Sequence, residues 1–202
     1  MATASPPRWG LPQPNALARL ARRVRDAVGG TRPQPVEVLP ELPVALRRSE
    51  VAGPYLEADR SADHGRAGAA ATAAMERAVA AAEWWPADIW GHRALWHFEQ
   101  EGMQLAATRA ARLIGEVRLA AGDPSSARRY YAEAISEARD IGAEREEGLA
   151  ALGMGRAHLQ LGDVTSARRL AGIAIDLLER CKAPDAELAA ARELRGEEKE
   201  AR

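Results

Sequence analysis

Apolar side chains return along this chain at the spacing of a helix, not of a strand. Ala127, Tyr130, Tyr131, Ala134, Ile135 and Ala138 follow the i, i+3, i+4, i+7 pattern that marks one face of a helix. Leu17, Leu20, Val24 and Val28 do the same over a shorter span, with Arg19, Arg22, Arg23 and Arg25 largely on the other side and Gly29-Gly30 behind them. The spacing predicts a short basic amphipathic helix over residues 15–28. Around it, nine of the twelve prolines fall within the first 54 residues, and each fixes φ and removes a backbone donor. The pattern therefore predicts a proline-rich arm over 1–63, with Thr31 to Pro54 as an extended linker.

Beyond the arm the chain repeats. Gln104–Ala143 set above Glu144–Ala183 without a gap gives thirteen identities. They include Gly115 with Gly155, Gly122-Asp123 with Gly162-Asp163, and Ser126-Ala127-Arg128-Arg129 with Ser166-Ala167-Arg168-Arg169. Each unit reads as two helices. Gly122 suits the left-handed residue that ends one helix, Asp123 caps the next, and Pro124 sits where a missing N–H is harmless. Glu144, Glu146 and Glu147 open the following helix, where acidic side chains favour the N-terminal dipole. A divergent first unit, 64–103, aligns mostly through alanines, with Gly102 opposite Gly142 and Pro86 near the expected turn. Its helices are expected at about Arg66 to Glu83 and Ala87 to Glu101. Pro184-Asp185 starts a last helix that closes the array over 184–202.

Such a unit resembles the tetratricopeptide repeat, in a long form of about 40 residues. The small residue of the family's first helix corresponds to Gly115 and Gly155, its turn glycine to Gly122 and Gly162, and its small–aromatic–small pattern to Ala127, Tyr131 and Ala134. In the second unit Ala171 replaces the aromatic, and the family's early tryptophan is replaced by Ala111 and Ala151. The resemblance covers residues 64–202. It implies an all-α right-handed superhelix of about three helix pairs with a capping helix, which holds a peptide or partner protein on its concave face. In the family register Glu76, Arg109, Arg112, Glu116, Leu119, Leu149, Leu152, Arg156, Leu159 and Gln160 fall on that face. Arg109, Arg112 and Arg156 would form a cationic strip able to grip a carboxylate, so an acidic segment or a free C-terminal carboxylate is the expected partner feature.

Composition sharpens this picture. Among the 202 residues are 45 alanines, one phenylalanine and few β-branched residues, which disfavours a sheet. The single Cys181 forms no internal disulfide, and no apolar run reaches the ~18–20 residues that span a bilayer. The N-terminus lacks a secretory apolar stretch, so the expected location is the cytoplasm. Net charge is −1 but uneven: residues 1–54 hold eight arginines against four acids, a balance of +4, and the remainder carries −5. With 26 arginines to two lysines the chain suits a high-GC bacterial genome.

Candidate chemistry is sparse. Four of the five tryptophans crowd into Trp84, Trp85, Trp90 and Trp96, which read either as core or as a docking patch. His92 and His97 lie i, i+5, about 140° apart on a helix, a poor pair for one metal. No phosphate loop, nucleophile elbow or paired-carboxylate motif stands out. The sequence thus predicts a non-catalytic interaction module without metal or cofactor, without direct nucleic-acid contact, and compatible with homo-oligomers. The alternative is a ligand- or peptide-sensing regulator with the Trp-rich segment as its pocket.

Overall fold

The computed structural model describes residues 39–196. The chain divides into two units after Pro40. The basic helix expected at 15–28 and the final residues 197–202 lie outside the described residues.

Nine helices follow in order among the described residues: α1 (Val44–Arg47), α2 (Ala52–Arg60), α3 (His64–Ala80), α4 (Trp84–Glu101), α5 (Gln104–Ala120), α6 (Pro124–Asp140), α7 (Glu144–Gln160), α8 (Val164–Arg180) and α9 (Asp185–Arg195). No strand occurs among the described residues. Consecutive helices pack against one another, and α5 also packs on α7. The expected all-helical repeat array is what the chain forms. Its period holds even where sequence identity fades, since α3, α5 and α7 begin at 64, 104 and 144, and α4, α6 and α8 at 84, 124 and 164.

The turns explain this regularity. Gly102, Gly122, Gly142 and Gly162 adopt φ of 73°, 81°, 68° and 83°. Ala62, Ala82 and Lys182 take the same left-handed conformation at 54°, 56° and 52°. A left-handed residue thus recurs every twenty positions, and three of the seven are not glycine, a choice that costs roughly 1–2 kcal/mol each. Helix starts use the same economy of signals. Asp63, Asp123 and Asp163 accept from the backbone N–H of Arg66, Ser126 and Ser166 at 2.9, 3.0 and 3.0 Å.

Two expectations change at the N-terminal side. Thr31 to Pro54 was expected as linker and the helical domain to begin at residue 64, but α1 and α2 already lie in 44–60, forty residues before 84–100. Leu42, Leu46, Ala52, Tyr55 and Ala58 are buried, and α2 packs on α3. The prolines misled because of where they fall. Pro43 is the N-cap of α1 and Pro54 stands in the first turn of α2, positions where no intrahelical donor is lost. Likewise α4 starts at Trp84, because Pro86 sits in its first turn. The array is therefore half a unit, three full pairs and the closing helix α9, which ends at left-handed Gly196.

Glycines set how closely the pairs approach. A β-carbon on Gly115 of α5 would stand 2.8 Å from the Tyr131 ring, and one on Gly153 of α7 would stand 2.4 Å from the same ring. Tyr131 is thus wedged between two first helices. A β-carbon on Gly155 would stand 2.8 Å from Leu194 and 3.2 Å from the Ala167 carbonyl. Gly115→Leu and Gly155→Leu should each destabilise by roughly 1–3 kcal/mol or more. Gly115→Leu should be the worse, since a rigid ring yields less than the end of a leucine. Thermal melts of both variants check this, and two unchanged melting temperatures would refute the packing frame.

Candidate functional site

Arg109, Arg112 and Glu116 share one side of α5, as the helical spacing requires, and the structure brings a fourth residue to them. Glu146, in the first turn of α7, receives Arg109 Nε at 2.8 Å on one carboxylate oxygen and Arg112 Nε at 3.0 Å on the other. Arg112 also donates to Glu116. Glu146 was legible only as a helix-dipole acid, because nothing in the sequence tells that α7 lays its first turn against the middle of α5. The side chain of Glu146 is only 4% exposed, while those of Arg109 and Glu116 are each 50% exposed. The expected open cationic strip is therefore partly neutralised, with Arg109 and Arg112 held against Glu116 and Glu146.

Under this row lies the Tyr131 hydroxyl. It is buried and has no hydrogen-bond partner among the described residues. Burial first, then the nearby Glu116 carboxylate, push its pKa up, and Arg112 and Arg156 oppose them. Those three side chains are hence near enough to act on the hydroxyl, with Arg156 on the α7 side and Arg112 and Glu116 on the α5 side. Arg156, Gln160 and Glu76 are exposed. Neither Arg156 nor Glu76 has an ion-pair partner among the described residues, and Glu76, on α3, stays apart from the cluster. Of the leucines expected on the face, Leu152 is in the core with Ile175 and Leu178, and Leu149 packs against it. Leu159 is exposed and Leu119 is half-buried.

The tryptophan segment divides between core and surface. Trp90 is 1% exposed and meets Tyr55 edge-on at 5.2 Å. Trp84 and Trp96 are half-buried, and Trp85 is exposed. Trp96 stands edge-on to His64 and His97, at 5.4 and 4.8 Å.

His92 and His97 point into different networks. His92 Nδ1 meets the Asp88 carbonyl at 2.7 Å, which can only accept, so Nδ1 carries the hydrogen and Nε2 accepts from the Tyr130 hydroxyl at 2.7 Å. Asp88 itself holds Arg118 across to α5, with Arg118 Nη2 donating at 2.9 Å. Burial raises the Asp88 pKa against the pull of His92 and Arg118. This network joins α4, α5 and α6 in the interior and was not read from the sequence. The spacing Asp88-x-x-x-His92 is its one local trace. Cys181 rests its sulfur on the Leu178 carbonyl at 3.4 Å. Among the described residues no helix is long and apolar enough to cross a membrane. In comparisons with known proteins, no family model matches this chain and no curated protein does.

Proposed function

We propose that the chain is a non-catalytic protein-interaction module of tetratricopeptide type, which binds a peptide or partner protein in the cytoplasm along the row Glu76, Arg109, Arg112, Glu116, Arg156 and Gln160. One observation carries this reading. Glu146 grips Arg109 through Nε alone, so a half-exposed guanidinium is held in place while its two terminal nitrogens have no partner among the described residues. A fork fixed in advance loses less entropy on meeting a carboxylate than a free arginine does. Arg156 stands near it as a second exposed cation. The partner feature that fits is an acidic segment or a free C-terminal carboxylate. The alternative, a small-molecule sensor built on the tryptophans, has less support, because Trp90 is packed inside.

Arg156→Glu tests the groove without touching the buried Glu146. Melting temperature should stay nearly unchanged, since exposed charges contribute ~0–1 kcal/mol. An array of acidic peptides, each with a free or an amidated C-terminus, should contain sequences that bind the parent and lose affinity both with Arg156→Glu and with rising salt. If no peptide binds, or if binders are indifferent to the reversal, the groove assignment fails.

A further inference from the structure

His64 and His97 carry an arrangement that the groove does not use. His97, on α4, is fully buried. Its Nδ1 faces Nδ1 of His64, on α3, at 2.9 Å. Its Nε2 faces the Tyr55 hydroxyl of α2 at 3.2 Å and the Asp59 carboxylate at 3.5 Å. Arg93 Nη1 donates to that same hydroxyl at 2.8 Å. Donor counting assigns the hydrogens. Arg93 only donates, so Tyr55 accepts from it and gives its own hydrogen to His97 Nε2. His97 then carries a hydrogen on Nδ1 and donates to His64 Nδ1. With this tautomer both rings are neutral, and every donor along the relay Arg93, Tyr55, His97 and His64 has an acceptor.

A proton on this pair breaks the relay. Charging His64 at Nδ1 sets two donors face to face unless His97 moves its hydrogen to Nε2. That hydrogen then points at Tyr55 and Asp59, and the Tyr55 hydroxyl loses the ring nitrogen that accepted its own hydrogen. A charged His97 would lie close to the Arg93 cation, against the opposite pull of the partly exposed Asp59 carboxylate. At the rim, Arg66 is already engaged with Glu57 and Asp63, each at 3.9 Å.

We infer that the His64–His97 contact is an acid-sensitive latch: neutral, it fastens α2 to α3 and α4, and protonation releases α2 and uncovers the face of Trp90 against Tyr55. The sign is fixed by burial, the largest influence, which lowers the His97 pKa from its ordinary 6.5 to about 4. The opened state therefore binds more protons than the closed one between those values. The latch is fully closed above pH 6.5 and weakens as pH falls towards 4. Release stays local, because α1 and α2 are the first described helices of a nearest-neighbour array and α2 packs on α3.

Hydrogen exchange on the full chain at about pH 7.5 and about pH 5, corrected for the intrinsic pH dependence of exchange, tests this. Protection over Tyr55–Arg60 should fall about 30-fold, tenfold per pH unit below the ordinary histidine value, while α7 and α8 keep theirs. In His97→Phe the α2 protection should no longer respond to pH. Should that variant not fold, nitrogen-15 shifts of the histidine rings in the unaltered chain decide. The latch is supported if the pair gains its proton together with the loss of α2 protection. It is overturned if the pair charges while α2 remains protected, if α2 protection is unchanged at the lower pH, or if α7 and α8 open in step with α2.

Discussion

Replacing Asp88 by alanine should destabilise the array by about 3–5 kcal/mol. Asp88 and Arg118 are 2% and 7% exposed at the side chain, and the carboxylate takes two contacts from the guanidinium across the α4–α5 boundary. Removing the carboxylate takes a counter-charge from an arginine held in the interior and leaves part of that charge's desolvation cost without compensation. The interpretation is separable from lost packing. Pairing Asp88→Leu with Arg118→Met removes both charges at similar volume and should recover much of the loss. Urea unfolding of the single and double variants measures both effects. An Asp88→Ala variant as stable as the parent would mean that the pair is not buried as described.

Trp90→Ala should cost a similar ~3–5 kcal/mol, because a fully buried indole leaves a cavity that the alanine-rich surroundings cannot close. The core that Trp90 belongs to is rich in alanines, Ala52, Ala58 and Ala94 among them, and such short side chains cannot reach into a gap. Trp85→Ala, at the exposed start of the same helix, should stay within about 0.5 kcal/mol of the parent. The two tryptophans are five residues apart, so the contrast tests the burial of this helix and not its composition. Equal losses in both variants would contradict it.

The helices and their turns could be read from the sequence wherever the local signal was complete. Gly122-Asp123-Pro124 states a helix end, a cap and a helix start in three residues, and the structure places all three there. Where a signal was ambiguous the reading failed in a predictable direction. Pro43 and Pro54 look alike in a linker and in the first turn of a helix, and only the burial of Leu42, Leu46 and Tyr55 decides between them. Ala62 and Ala82 do the work of turn glycines without any compositional sign. For the candidate site, helical spacing was enough to put Arg109, Arg112 and Glu116 on one side of α5. It could not show Glu146 between the arginines or Tyr131 below them, because those contacts depend on how one helix lies across another. The buried relay through His97 was hidden for the same reason, with partners drawn from three helices.

The packing of each helix against those beside it in sequence has a consequence for how the chain reaches its fold. Contacts close over short loops, so little chain entropy is spent before each one forms, and relative contact order is low. Any adjacent pair can act as a nucleus and grow in both directions. During synthesis, α3 and α4 can dock before α7 has left the ribosome. Among the described residues α1–α2 and α9 have a neighbour on one side only, so on extension this array should come apart from them inward.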